Sequence, residues 1–166
     1  MRRPTLAVLA ALSALLLPSL GAAQSSAPSG VTASLSLAGG AELGLAAGAG
    51  SAGLGELEAA VGYEFESAGL RPELGLVIGL APGSDFAFRP GVRLAIPGVP
   101  LQFRAALDAS TARVSGLSWR WLLLGVATEL RFTSTLALFG EIDSGAPLNS
   151  RAGLPLLFRA GAAFRF

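Results

Sequence analysis

Apolar and polar residues alternate with a period of two over most of the chain, from Val31 to the C-terminal Phe166. Successive side chains of a β-strand point to opposite faces, so this alternation predicts strands that each have one apolar and one polar face. In the segment 70–80, even positions carry leucine, proline or isoleucine, and odd positions other than Val77 carry arginine, glutamate or glycine. Phe139 is a second apolar residue on the polar side of its segment. The chain is therefore predicted to be all-β.

Eight segments with this alternation follow one another, and the connections between them are alternately long and short. The short connections at 67–69, 97–98 and 133–134 are typical of tight hairpin turns. Gly39-Gly40 could form a further turn, but the alternation continues through it, so we expect one long strand with a kink. This organisation predicts an eight-stranded antiparallel up-and-down transmembrane β-barrel, with both chain ends at the short-turn end.

The first residues of the chain differ from the rest. Two arginines precede the apolar stretch 6–17, and small residues follow at 21–23. These are the features of a secretory signal peptide, and the apolar stretch is short for a membrane anchor, whose helix needs about 20 residues. We predict a cleaved signal peptide over residues 1–23 and a β-barrel domain over residues 24–166.

The composition indicates that the apolar face of the barrel lies outside. The chain is 52% hydrophobic and only 14% charged, whereas about a quarter of the residues in soluble domains are charged. In our assignment of the strands, all charges fall on the polar face. A charge on a lipid-facing strand costs roughly 2–4 kcal/mol at the bilayer midplane, which explains such an exclusion.

The polar face is predicted to form a paired charge network that fills the interior and leaves no open channel. Buried charges are tolerated only when paired, and the planar guanidinium of arginine suits carboxylates better than lysine does. The absence of lysine from the chain equally fits a bias in genomic base composition. The predicted network residues are Glu42, Glu58, Glu64, Arg71, Glu73, Arg89, Arg93, Arg104, Asp108, Glu129, Arg131, Glu141 and Arg159. The same face also carries Glu56, Glu66, Asp143 and Arg165.

The chain ends in a segment with Arg159, Gly161, Phe164 and Phe166 at fixed spacing. A polar or basic residue, a glycine and two spaced aromatic residues at the terminus resemble the C-terminal assembly signal of outer-membrane β-barrel proteins. With the predicted signal peptide and strands, the whole mature chain resembles the small outer-membrane barrels of the OmpA/OmpX type. The resemblance implies a location in the bacterial outer membrane, contact with its lipid, and assembly by the barrel-assembly machinery with periplasmic chaperones. We expect a monomer.

Aromatic residues near the strand ends are expected to form girdles at the two membrane interfaces. The tryptophans of the sixth strand have the opposite parity to the rest of that strand, so a β-bulge is predicted near 122–123. The predicted interface aromatics are Trp119, Trp121, Phe132, Phe164 and Phe166.

The sequence contains no histidine and no cysteine. Histidine-based acid–base catalysis, disulfides and thiolate chemistry are therefore excluded. Gly48, Gly50 and Gly53 match a dinucleotide-binding spacing, but the segment after them alternates as a strand, whereas that motif needs a helix. Since no basic patch for nucleic acid is present either, we assign no catalytic, cofactor-binding or metal-binding residue.

Four functions remain open from the sequence. The first is a non-enzymatic barrel with a structural or surface-interaction role. The second is a small pore, or a lateral conduit for a small or hydrophobic molecule, supported only by irregularities at Pro90 and Gly39-Gly40. The third is a lipid-modifying enzyme that uses carboxylates and serine. The fourth is a soluble lipocalin-like carrier, whose apolar face would point inward.

Overall fold

The computed structural model describes residues 29–45, 50–65, 69–111 and 116–166. The predicted signal peptide and Glu66 lie outside these ranges. The strands are β1 (Gly30–Leu43), β2 (Ser51–Glu64), β3 (Leu70–Ala81), β4 (Phe86–Ala95), β5 (Leu101–Ser110), β6 (Ser118–Arg131), β7 (Leu136–Pro147) and β8 (Leu154–Arg165). They are 10 to 14 residues long, which reaches the roughly 9–11 residues that a tilted strand needs to cross the hydrocarbon layer. The described part of the chain includes no helix with the length and apolarity of a membrane span.

The eight strands form a closed barrel in which each strand pairs antiparallel with its neighbours. The first and last strands meet in a seam that runs from Leu43 opposite Leu154 to Thr32 opposite Arg165. Closure satisfies the backbone N–H and C=O groups that the hydrocarbon of a bilayer cannot. The predicted eight-stranded antiparallel up-and-down barrel is therefore confirmed.

The barrel has two ends that differ in their connections. The outer end carries the connections 44–50, 82–85, 111–117 and 148–153. The inner end carries the other three connections, which span four or five residues against four to seven at the outer end, together with the start of β1 and the end of β8. The predicted turns 97–98 and 133–134 lie at this end, whereas residues 67 and 68 of the third predicted turn lie outside the described ranges. The connection 82–85 at the outer end is as short as these, so the predicted alternation of long and short connections is not regular.

Apolar side chains point outward around the barrel. Leu35, Leu76, Leu124 and Ile142 are 48 to 57% exposed. The charged residues of the strands share the parity of the buried positions instead. This orientation excludes the lipocalin-like alternative, in which the apolar face lines the centre.

The two apolar residues that interrupt the polar face in the sequence lie inside the barrel. Val77 and Phe139, the apolar residues on the polar parity, are 2% and 9% exposed inside the barrel.

β1 runs without interruption through Gly39-Gly40 and pairs with both neighbours there. Gly39-Gly40 is therefore part of one long strand and forms no turn.

The predicted bulge in β6 is present, slightly closer to the N-terminus than expected. Asp108 and Ala109 of β5 lie opposite Trp121 and Trp119, so Arg120 is an extra residue in the ladder. As a result, the side chains of both Arg120 and Trp121 point inward, with 8% and 1% exposure. The prediction that Trp121 lies at the membrane interface is wrong, because the bulge lies before Trp121 and not after it, so Trp121 keeps the inward parity of the rest of β6 and only Trp119 is turned outward. The same bulge brings Arg120 inside, where strict alternation would place it in lipid.

The seam between β1 and β8 requires a glycine at position 40. A Cβ on Gly40 would overlap the carbonyl oxygen of Leu156, whereas nothing lies within 4 Å of the place of a Cβ on Gly140 in β7. We predict that Gly40→Ala lowers the free energy of unfolding by about 1–3 kcal/mol through overpacking. Gly140→Ala should leave it unchanged or raise it by up to about 1 kcal/mol, because alanine restricts the unfolded chain more than glycine does.

Urea unfolding in lipid vesicles, followed by the difference in gel mobility between folded and unfolded barrel, measures both values. Equal midpoints for the two variants would contradict the close approach at the seam.

Candidate functional site

The centre of the barrel is filled by arginine side chains that reach carboxylates on other strands. Arg104 of β5 shows the arrangement most fully. Its guanidinium lies 2.8 Å from Glu73 of β3 and 3.0 Å from Glu141 of β7, and it also contacts Glu58 of β2. Its side chain is 0% exposed. One residue of β5 thereby connects three other strands across the lumen.

Two further arginines complete this central cluster. Arg89 of β4 lies 2.7 Å from each of Glu56, Glu58 and Asp108. Arg159 of β8 lies 2.8 Å from Glu56 and 2.9 Å from Glu58. Because the two glutamates of β2 are shared between these arginines, removal of one partner leaves several charges without compensation.

Arg93 and Asp143 also form ion pairs in this central cluster. Arg93 pairs with Glu141 and lies 2.7 Å from Glu73. Asp143, on the inward face of β7, lies 3.3 Å from Arg159. Carboxylates from four strands therefore surround the central arginines.

A second group of charges occupies the inner end. Arg165 lies 2.9 Å from Glu64 and 2.6 Å from Glu129. Arg131 also approaches Glu129, at 3.2 Å, but its side chain is 26% exposed at the rim. Arg71 lies more loosely, 3.8 Å from Glu129.

A third group occupies the outer end. Glu42 lies 2.8 Å from Arg120 and accepts a hydrogen bond of 2.6 Å from the backbone N–H of Gly153. Arg120 also lies 3.3 Å from Asp85 in the connection after β3, and its guanidinium stacks 3.7 Å above the ring of Trp121. Sequence reasoning missed Arg120 and Asp85. The parity break at the tryptophans was the signal that could have identified Arg120.

All the residues of the predicted network that the structure describes lie on the inward face, and all except Arg131 are buried. The three groups follow one another along the barrel axis, and side chains rather than open space occupy most of the lumen. A cavity of about 180 Å³ lies at the outer end, lined in part by Asp85, Asp108 and Trp121.

The other predicted interface aromatics point outward. Trp119, near the outer end, is 50% exposed, and Phe132, Phe164 and Phe166, at the inner end, are 63%, 44% and 81% exposed.

Gly161 of the predicted assembly signal faces inward against the ring of Phe139, and a Cβ there would collide with this ring and with the backbone of β1. Packing inside the barrel thus supplies a reason for this glycine.

Within the described ranges, the acidic residues form no group of three or more suited to hold a metal ion. The carboxylates of the centre are held by guanidinium groups instead. The site is therefore an ion-pair network with a cavity at its outer end.

Comparison with solved structures finds barrels with the same architecture. Neisserial surface protein A aligns over 83% of this chain and 97% of its own, with a TM-score of 0.51 and 15% identity. The N-terminal β-barrel domain of Pseudomonas aeruginosa OprF aligns over 81% and 97%, with a TM-score of 0.50 and 13% identity. No family model and no curated protein sequence matches the chain.

This chain has the fold of the small outer-membrane β-barrels. The outward apolar surface and the buried charges of the lumen agree with that fold, in which lipid surrounds a polar interior. At these levels of identity the likeness concerns the fold alone.

The central position of Arg104 gives a stability prediction. Arg104→Gln should lower the free energy of unfolding by about 3–5 kcal/mol, because it leaves buried carboxylates without their cation. Arg131→Gln removes the same charge at the exposed rim and should cost less than about 1 kcal/mol.

Urea unfolding in vesicles compares the two variants with the parent barrel. A cost for Arg104→Gln no larger than that for Arg131→Gln would show that the central pairs do not stabilise the barrel.

Proposed function

We propose that this protein is an integral, non-enzymatic barrel of the bacterial outer membrane, with a structural or surface-interaction role and no open pore. The observation that carries this proposal is the cross-lumen pairing of arginines and carboxylates in three successive groups. An eight-stranded barrel is just wide enough for side chains to fill, and here long, paired side chains fill it.

The lateral conduit is the second candidate. At Pro90 the pairing of β4 with β5 omits Arg89 and Pro90, whereas two observations weigh against an entry at Gly39-Gly40. The seam is paired continuously from Thr32 to Leu43, through both Gly39 and Gly40. The opposite side of β1 is paired with β2 over its whole length. A molecule that entered through the wall at Gly39-Gly40 would have to break these backbone hydrogen bonds.

Planar-bilayer recording tests the filled barrel. The purified protein, inserted into a bilayer in molar potassium chloride, should show no discrete conductance steps, because paired side chains occupy the ion path. A large-pore porin inserted in the same bilayers is the positive control. Reproducible unitary openings of the purified protein would favour the small-pore alternative.

The surface of the barrel suits an outer-membrane location. Lipid would contact the apolar circumference, and the outward aromatics at the two ends would lie at the interfaces. The described outer connections are short, so a surface partner would find a small contact area.

Lipid analysis of cells with and without the gene tests the non-enzymatic part of the proposal. A lipid profile that changes when the gene is deleted and is restored when the gene is put back would favour the lipid-modifying alternative.

We further propose that Arg159, Gly161, Phe164 and Phe166 form the assembly signal, in a chain whose residues 1–23 are removed on export. The support is the resemblance of the C-terminal pattern. Phe166→Ala should lower the amount of folded barrel in the outer membrane of cells several-fold, because the terminal aromatic is part of the signal. Refolding of the purified variant in detergent should be unchanged, since this side chain is 81% exposed.

Phe132→Ala is the matched control, because it removes an outward aromatic from the same end but not from the terminus. Heat-modifiable gel mobility of outer-membrane fractions measures folded protein in both cases. Equal levels for the two variants would show that Phe166 acts only as an interface aromatic.

A further inference from the structure

The cavity at the outer end is a part of the lumen that the side chains leave open. Apolar side chains form one part of its wall: Leu54, Val77, Ala87 and Trp121. Its volume is about 180 Å³, and a cavity of roughly 150 Å³ is large enough to admit benzene. The exposed residues 82–84 after β3 also line it, which places its mouth at the outer end. The cavity therefore has room for a small organic molecule that arrives from outside.

The arginines of the wall are already occupied. The two terminal nitrogens of Arg120 bond Glu42 and Asp85. Arg89 uses all three guanidinium nitrogens on Glu56, Glu58 and Asp108. An anionic ligand would have to displace these carboxylates, so the wall is poorly suited to anions.

Asp108 is different, because one of its carboxylate oxygens is unused. Oδ1 accepts a hydrogen bond of 2.9 Å from Nε of Arg89. Oδ2 is buried and has no hydrogen-bond partner among the described residues. The residue is only 1% exposed and lines the cavity. A buried carboxylate oxygen without a donor is costly, and a ligand that brings a donor would remove that cost.

The wall of the cavity carries a net negative charge, which also favours a ligand that donates hydrogen bonds. Glu56, Asp85 and Asp108 line the cavity, and only Arg89 and Arg120 oppose them. Three carboxylates against two guanidinium groups leave an excess of negative charge. This excess favours a cationic donor over a neutral one.

We propose that the cavity binds a small aliphatic ammonium ion. Its nitrogen donates a charge-assisted hydrogen bond to Oδ2 of Asp108, and its short apolar body packs against Leu54, Val77 and Ala87. The connection after β3 helps to shape the mouth, because Asp85 contacts Arg120 at 3.3 Å and accepts a hydrogen bond of 3.2 Å from Ser110.

Trp121 supplies a reporter inside the site. The chain has two tryptophans, and Trp119→Phe leaves Trp121 as the single one. The variant barrel, refolded in a non-ionic detergent, is titrated with n-butylammonium chloride at constant ionic strength while the emission of Trp121 is recorded. n-Butanol, which has the same chain length and no charge, is the matched probe.

We expect a saturable change in emission with butylammonium and binding of butanol at least about tenfold weaker, the loss that a charge-assisted hydrogen bond implies. Equal responses to the two probes would mean that the cavity binds apolar molecules regardless of their charge. No saturable response to butylammonium would mean that water alone occupies it. Either result overturns the proposal.

Two variants locate the binding group. Asp108→Asn should weaken butylammonium binding at least about tenfold. Asp143→Asn is the control, because Asp143 is also buried with an unpartnered oxygen, Oδ1, but does not line the cavity. It removes the same charge and should leave binding within about twofold, as a site without contact to the ligand implies.

Equal weakening by both variants would show a general field effect and would overturn the assignment to Asp108. If Asp108→Asn does not refold, the comparison of butylammonium with butanol on the Trp119→Phe barrel decides the question by itself.

Discussion

Arginines in the lumen are bonded to carboxylates that belong to other strands, and this pairing across the barrel is the interaction on which the remaining structure depends. The strands can carry charges only on their inward face, because a charge among hydrocarbon chains is costly. Once inside, the charges are out of reach of bulk water and need partners. Arg104 and Arg159 meet this need with carboxylates from three other strands and two other strands, respectively.

The pairing also explains which residues surround the charges. Guanidinium groups offer several donors in one plane, so a single arginine can bond two or three carboxylates at once, as Arg89 does. Such long side chains need space, and small residues on the inward face provide it. At Gly125, for example, a Cβ would overlap the carboxylate of Asp143. The alternation of charged and small residues is therefore a consequence of filling a narrow barrel with ion pairs.

The outer end departs from this regular arrangement. The extra residue in β6 places Arg120 inward beside Trp121, and the arginine stacks on the tryptophan ring. The large ring and the guanidinium lie beside a space that other side chains do not fill. This space beside the bulge is where we infer room for a ligand.

Sequence alone determined the strand number, the up-and-down order of the strands and the orientation of the barrel, because a period of two assigns each residue to one face and lipid excludes charge from the outer one. It also assigned residues such as Glu58, Arg89 and Glu141 to the interior. Only the tertiary structure decided which arginine meets which carboxylate, since those partners come from strands far apart in the chain. It likewise decided the place of Arg120 and Trp121, because a bulge moves the parity by one residue and the pattern does not say where. The cavity beside Asp108 is lined by residues of several strands and of the connection after β3, so the pattern of any one strand could not reveal it.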